Sequence, residues 1–135
     1  MQSILICLFI AVLMPIIVKL PLAIAQHKAG GYDNSLPRIQ QSQLTGFGAR
    51  AKAGHENAFE ALIFFAPGVL ALVGMSAVTH QAVLYAQIWV VARVIYHLFY
   101  LINVHILRSV SWAVSYAMSL LILWQAIQMA GVTLE

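Results

Sequence analysis

The sequence predicts an all-α integral membrane protein built as one four-helix bundle over residues 1–135. Three observations carry that expectation. Of 135 residues, 62% are hydrophobic and 8% charged, where a soluble domain carries about 25% charged residues. The mean hydropathy is +0.89. The apolar residues also gather into runs long enough to cross a hydrocarbon layer, which takes about 20 residues of helix. Net charge is +3, but the basic residues form no run and no Gly-rich phosphate loop is present. They point to membrane orientation and away from nucleic acid. The single cysteine, Cys7, lies in the first apolar run. It excludes an internal disulfide and a CxxC pair, and no Cys/His spacing suggests a metal site.

The first span runs from Ser3 to about Ala25. Ala23-Ile24-Ala25 resembles a signal-peptide cleavage site. No Lys or Arg precedes the apolar region, however, and that region outruns the usual 7–15 residues, so the segment reads as a span. Pro15 and Pro21 are expected to kink it. From Gln26 to about Gly48 the chain is polar and rich in turn residues, with a helical stretch expected from Arg38 to Gln43. The second span runs from about Thr45 to Ala77 with Pro67 inside, and the third from Ala82 to about Ile102. A link holding Asn103, His105 and Arg108 leads to the fourth, Val110 to about Ala130, which is uncharged. Lys28, Arg38, Arg50 and Lys52 accompany the first connection and Arg108 the third. The positive-inside tendency therefore puts both connections in the cytoplasm and both termini on the opposite side.

Two faces carry polarity that an apolar bundle does not need. Arg50, Asn57 and Glu60 fall within about 60° of one another on a helix, at the mouth of an uncharged run from Ala61 to Thr79. Arg93, Tyr96 and Tyr100 share a face of the third span. Counted inward from the cytoplasmic side, Glu60 and Tyr100 lie shallow and Arg93 deeper. A charge at a helix centre costs about 2.5–3.5 kcal/mol on insertion scales. One reading pairs Glu60 with Arg93 across two helices as packing. The other has all six line a pocket open to the cytoplasm, where guanidinium groups grip carboxylates, a carboxylate receives an ammonium, and Tyr or Arg stabilises a thiolate. Such a set suits a small zwitterionic, carboxylate-rich ligand with one reactive end near lipid. Of the histidines, His27 and His80 read as solvated loop residues, His55 as interfacial and His105 as part of the third link. His97 reads as helix packing or as a group facing the pocket.

The pattern Arg50…Asn57-Ala58-Phe59-Glu60, an apolar helix, then Arg93-x-x-Tyr96-x-x-x-Tyr100 resembles the MAPEG family, the membrane-associated proteins of eicosanoid and glutathione metabolism. The RAKAGHENAFEALIFF stretch and the YDNSLPR loop look most like its small bacterial members. The resemblance implies a homotrimer of four-helix subunits in a bacterial inner membrane, with glutathione as thiol substrate held between subunits. Carried over, Arg50, Asn57, Glu60 and Arg93 would bind glutathione, and Tyr96, Tyr100 and Arg108 would serve catalysis. Arg108 would stabilise the thiolate. A free thiol has a pKa of about 8.5, so a nearby guanidinium raises the thiolate fraction at neutral pH.

The chain departs from the family pattern at Ala53, where a second arginine stands in eicosanoid-type members, and at Ala61, where some carry tyrosine. Ile63 replaces an expected proline, and Arg108 lies one residue further from Tyr100 than the pattern has it. The expected function is a membrane-bound glutathione-dependent transferase or peroxidase acting on lipophilic electrophiles. The alternative is a non-catalytic bundle with a packing or lipid-binding role. The expected partners are further copies of the chain, membrane lipid and a small lipophilic substrate.

Overall fold

The computed structural model describes residues 1–132; residues 133–135 of the expected domain lie outside them. It is all-helical: α1 (Gln2–Lys28), α2 (Pro37–Ser42), α3 (Gly46–Gly74), α4 (His80–Leu101) and α5 (His105–Val132). Four of these are long and apolar enough to cross a membrane. Around the bundle the order is α1, α3, α5, α4, with α3 and α4 also meeting across the diagonal. Chain neighbours run antiparallel. The start of α3 touches the end of α4 through Arg50 and Leu101, and the start of α4 touches the end of α5 through Thr79 and Gln125.

The two ends of the bundle differ in chemistry. Toward the α3–α4 turn the interior is apolar: Ile4, Phe65, Val69, Leu72, Ala86, Trp89 and Ile122 are buried together. Phe65 stacks on Trp89 with ring centroids 4.1 Å apart. Gly68 lets α3 approach α5 closely, since a Cβ there would lie 2.9 Å from the Leu123 backbone nitrogen. Small residues at such crossings let backbones pack without hydrophobic driving force from lipid. The other end, formed by the α1–α3 segment and the α4–α5 turn, holds Arg50, Asn57, Glu60, Arg93 and Arg108.

Helix ends show where sequence patterning is weakest. Thr79 caps α4 by accepting the Ala82 N–H at 3.0 Å, so the helix begins at His80, two residues before the expected Ala82. α3 stops at Gly74 and not near Ala77, because Ser76 adopts a left-handed φ of 54°. At the third connection Asn103 takes a φ of 64°, a conformation that Asn tolerates better than most side chains. The Val104 N–H returns to the Phe99 carbonyl at 2.9 Å. This tight reversal starts α5 at His105, so Arg108 lies in its first turn and not in a link before Val110. His27 and His80 are exposed but also belong to helix ends. α1 continues through Pro15 and Pro21.

The α1–α3 segment is tied down by glutamines. Gln26, fully buried, donates to Gln40 Oε1 at 2.8 Å and to the Pro37 carbonyl at 3.3 Å. Asp33 accepts from the Ser35 hydroxyl and N–H and from the Leu36 N–H, which fixes the turn into α2. Those bonds hold its carboxyl below the ordinary value of 3.8.

The α3–α5 approach makes a prediction. Gly68→Ala is expected to destabilise the bundle by about 1–3 kcal/mol through overpacking. Gly74→Ala, where an added Cβ meets nothing within 4 Å, should be neutral or slightly stabilising. Thermal unfolding of both variants in one detergent checks the difference.

Candidate functional site

Helical spacing brings the polar residues of α3 and α4 to one end of the bundle, and an amide joins them. Arg93 is 1% exposed. Its Nη2 donates to Asn57 Oδ1 at 2.8 Å and to the Asn57 carbonyl at 3.2 Å. Asn57 Nδ2 in turn donates to Glu60 Oε2 at 2.6 Å. The direct Glu60–Arg93 pair of the packing reading does not form. Its place is taken by a side chain of the right length to accept from one charge and donate to the other. Among the described residues the ion pair is Lys52–Glu56, on the face of α3 turned away from Asn57.

A run of rings and guanidinium groups extends from Arg93 toward the loop end. The Arg93 guanidinium lies 4.2 Å from the Tyr96 ring centroid. Tyr96 meets Tyr100 edge-on with centroids 5.5 Å apart, and the Arg108 guanidinium covers Tyr100 at 4.4 Å. Cation–π contacts of this kind contribute about 0.5–2 kcal/mol each, more when desolvated. Glu60, Asn57, Arg93, Tyr96, Tyr100 and Arg108 therefore form one contiguous polar path. The start of α5 at His105 is what brings Arg108 over Tyr100.

Arg50 Nε donates to the Leu101 carbonyl at 3.3 Å, which places Arg50 level with the end of α4. Glu60 lies about 15 Å beyond Arg50 along α3, and Arg93 about 12 Å inward from Leu101. Asn57 bonds both side chains, so Glu60 and Arg93 lie at similar depth. α3 itself begins at Gly46, well before the apolar run that follows Glu60. Arg50 also stands apart from the Asn57–Arg93 contact. It lines a separate cavity of about 20 Å³ with Gly54, His97, Tyr100 and Leu101, where it satisfies a helix-terminal carbonyl.

A slot of about 60 Å³ opens beside Asn57, Glu60 and Arg93, walled by Phe64, Trp112, Ser115, Tyr116 and Ser119. Trp112 and Tyr116 stack at 5.3 Å. The α5 wall is silent in the sequence, because that helix carries no charge beyond its first turn. Its one signal is the four-residue spacing of Ser111, Ser115 and Ser119, all buried, of which the last two reach the slot. Their hydroxyls donate back to carbonyls of α5 itself, at 2.7, 2.8 and 3.3 Å. Glu60 is exposed in the single chain although it lies deep along a membrane-length helix. Arg93 Nε is buried without a hydrogen-bond partner. His97 does not line this slot. It packs against Gly54, where a Cβ would lie 3.5 Å from its Nδ1. His55 Nδ1 donates to the Pro15 carbonyl at 2.9 Å and so ties α3 to α1. Among the described residues no group of three or more His, Cys, Asp or Glu side chains is placed to hold a metal ion.

The chain belongs to the MAPEG family, whose pattern matches residues 3–128. No curated protein and no solved structure matches it. The family includes glutathione transferases and peroxidases as well as other members.

The role of Arg50, apart from the Asn57–Arg93 contact, can be isolated by mutation. Arg50→Met keeps the apolar stem but removes the bond to the Leu101 carbonyl. It should cost about 0.5–1.5 kcal/mol and speed amide hydrogen exchange at Ile102–Val104. Exchange measured by mass spectrometry checks this, and unchanged exchange would remove the capping role.

Proposed function

We propose that the protein is a membrane-bound glutathione-dependent transferase or peroxidase acting on lipophilic electrophiles, and that it works as a homotrimer. The observation that carries the reading is the exposed Glu60 carboxylate, deep along a membrane-length helix, coupled through Asn57 to the buried Arg93. Hydrocarbon does not solvate a carboxylate. A polar ligand and the flank of a second subunit would cover it. The slot also favours a shared site. Drug-sized ligands occupy about 300–1,000 Å³, so a cavity of about 60 Å³ holds one end of a tripeptide at most. Glu60 keeps one oxygen, Oε1, outside its bond to Asn57, which suits an ammonium. The Arg93 guanidinium, whose residue lines the slot, suits a carboxylate or carbonyl.

The thiol end would lie near Arg108 and Tyr100, where a guanidinium favours the thiolate. In the transferase reaction sulfur forms a bond to the electrophilic carbon, and the leaving group departs with its electron pair. In the peroxidase reaction sulfur attacks the peroxide oxygen and an alcohol leaves. A second thiol then converts the sulfenic acid to a disulfide and water. Tyr96 would hold Arg93 in place, and Arg50 would act at the rim. The basic residues of the first and third connections support a cytoplasmic position for this end in a bacterial inner membrane.

A non-catalytic packing or lipid-binding role is the second reading. It is favoured by the internal commitment of the polar groups, since Arg93 is bonded to Asn57, and Arg50 to Leu101.

Binding and turnover decide between them. In nanodisc-reconstituted protein, millimolar glutathione should raise the unfolding temperature, and Glu60→Gln should weaken binding by about 10- to 100-fold, the effect of losing one charged hydrogen bond. Arg108→Leu should lower kcat for conjugation to chlorodinitrobenzene while glutathione binding persists. A trimer with no thermal shift and no conjugate would support the packing role.

A further inference from the structure

One charge of the slot has no counter-charge on the side that faces out of the bundle. Among the described residues Glu60 enters no ion pair, and its hydrogen bond is the one it accepts from Asn57. Glu60 is exposed, whereas Arg93, on the other side of Asn57, is buried. The three side chains therefore form a dipole with its negative end outward. Ser115 and Ser119 line the slot, but they give their hydroxyl protons to α5 carbonyls and have none left for the carboxylate. From Gly46, where α3 begins, Glu60 lies about 20 Å along the helix. At that depth an uncompensated carboxylate is costly.

Beside the carboxylate the walls are aromatic. Phe64, Trp112 and Tyr116 line the same slot. Trp112 and Tyr116 stack with planes 5° apart, and Phe64 meets Tyr116 at 81° with centroids 5.2 Å apart. The rings thus form two walls at nearly a right angle, and Phe64 and Trp112 are exposed. Ring faces are negative and attract cations, and groups of rings recognise quaternary ammonium ions. A hard metal cation needs about six oxygen ligands, while Glu60 offers one uncommitted oxygen. A trimethylammonium head makes no such demand, since its charge is covered by methyl groups and it has no proton to donate. It also enters from lipid without a hydration shell, and a slot of about 60 Å³ takes a small head group of this kind.

We propose that the slot between α3 and α5 binds lipophilic quaternary ammonium ions, with the head against Glu60 and the rings of Phe64, Trp112 and Tyr116, and the alkyl tail left in the lipid. Glu60 selects for positive charge, and the rings select methylated nitrogen over hydrated ions. Arg93 repels the head less than Glu60 attracts it, because its guanidinium lies behind Asn57 and against the Tyr96 ring. The site shares Glu60 with the glutathione reading but does not rest on thiol chemistry. Where that reading holds, such a cation excludes the ammonium of glutathione and inhibits from the bilayer side.

The test dialyses radiolabelled decyltrimethylammonium, below its micellar concentration, against phosphatidylcholine nanodiscs that hold the full chain, with uptake by empty nanodiscs subtracted. Binding should saturate. The uncharged isostere, with a tert-butyl group in place of the trimethylammonium, should not compete. Glu60→Gln should weaken binding by about 10-fold or more, the effect of losing one charged contact. Trp112→Leu should weaken it by about 5-fold, the worth of one cation–π contact. Trp112 is exposed, so its variant leaves the buried core alone and tests the site even if Glu60→Gln misfolds. Uptake equal to that of empty nanodiscs, equal competition by the isostere, or affinity unchanged in either folded variant would overturn the proposal. Glutathione added to the same dialysis separates the two readings. It should displace the cation if it binds at Glu60, and saturable cation binding that glutathione leaves untouched would support this site while counting against the glutathione site.

Discussion

The structure depends on one amide. Arg93 is buried at a depth where a lone guanidinium would be untenable, and Asn57 holds it from the facing helix by side-chain and backbone oxygens together. The same side chain donates to Glu60. A carboxylate and a guanidinium are thereby coupled without touching, and neither is fully neutralised by the other. Direct pairing would have closed the gap between α3 and α4. An intervening amide keeps the charges apart, and both residues line the slot.

That arrangement requires the bundle to be divided along its length. Near the α3–α4 turn, Phe65 on Trp89 and the close Gly68 crossing build a dry interior. Such packing is what holds the helix axes in register. One or two turns further, the same helices exchange apolar contact for the Arg93–Tyr96–Tyr100–Arg108 run. The rigid half positions the polar half, and the glutamine clamp around Gln26 fastens the long segment that joins α1 to α3. MAPEG membership accounts for the four spans and the polar motif together. The exposed Glu60 carboxylate is the part of that motif the bundle leaves uncovered.

Much of this could be read from residue spacing, and the limits are physical. Intervals of three, four and seven place Arg50, Asn57 and Glu60 on one stripe, and Arg93, Tyr96 and Tyr100 on another. Spacing says nothing of which neighbour a stripe meets or how deep it lies. It is the packing that sets Arg50 on the Leu101 carbonyl at the end of α4 and Asn57 between the two charges. Arg108 joined the path only because Asn103 adopts a left-handed conformation that shortens the turn. The α5 wall was silent because serines bonded to their own helix and stacked aromatics look like ordinary apolar sequence. His97 was legible as a histidine in a span, but its unpartnered nitrogen emerges only from the packing.

The most direct measurement is a pair of double-mutant cycles on unfolding free energy, one joining Asn57→Ala with Arg93→Leu and the other joining Glu60→Gln with Arg93→Leu. The amide-bridged account predicts a coupling of about 1–3 kcal/mol in the first and a much smaller one in the second. A strong Glu60–Arg93 coupling beside a negligible Asn57–Arg93 coupling would contradict it, and would mean that the two charges pair directly.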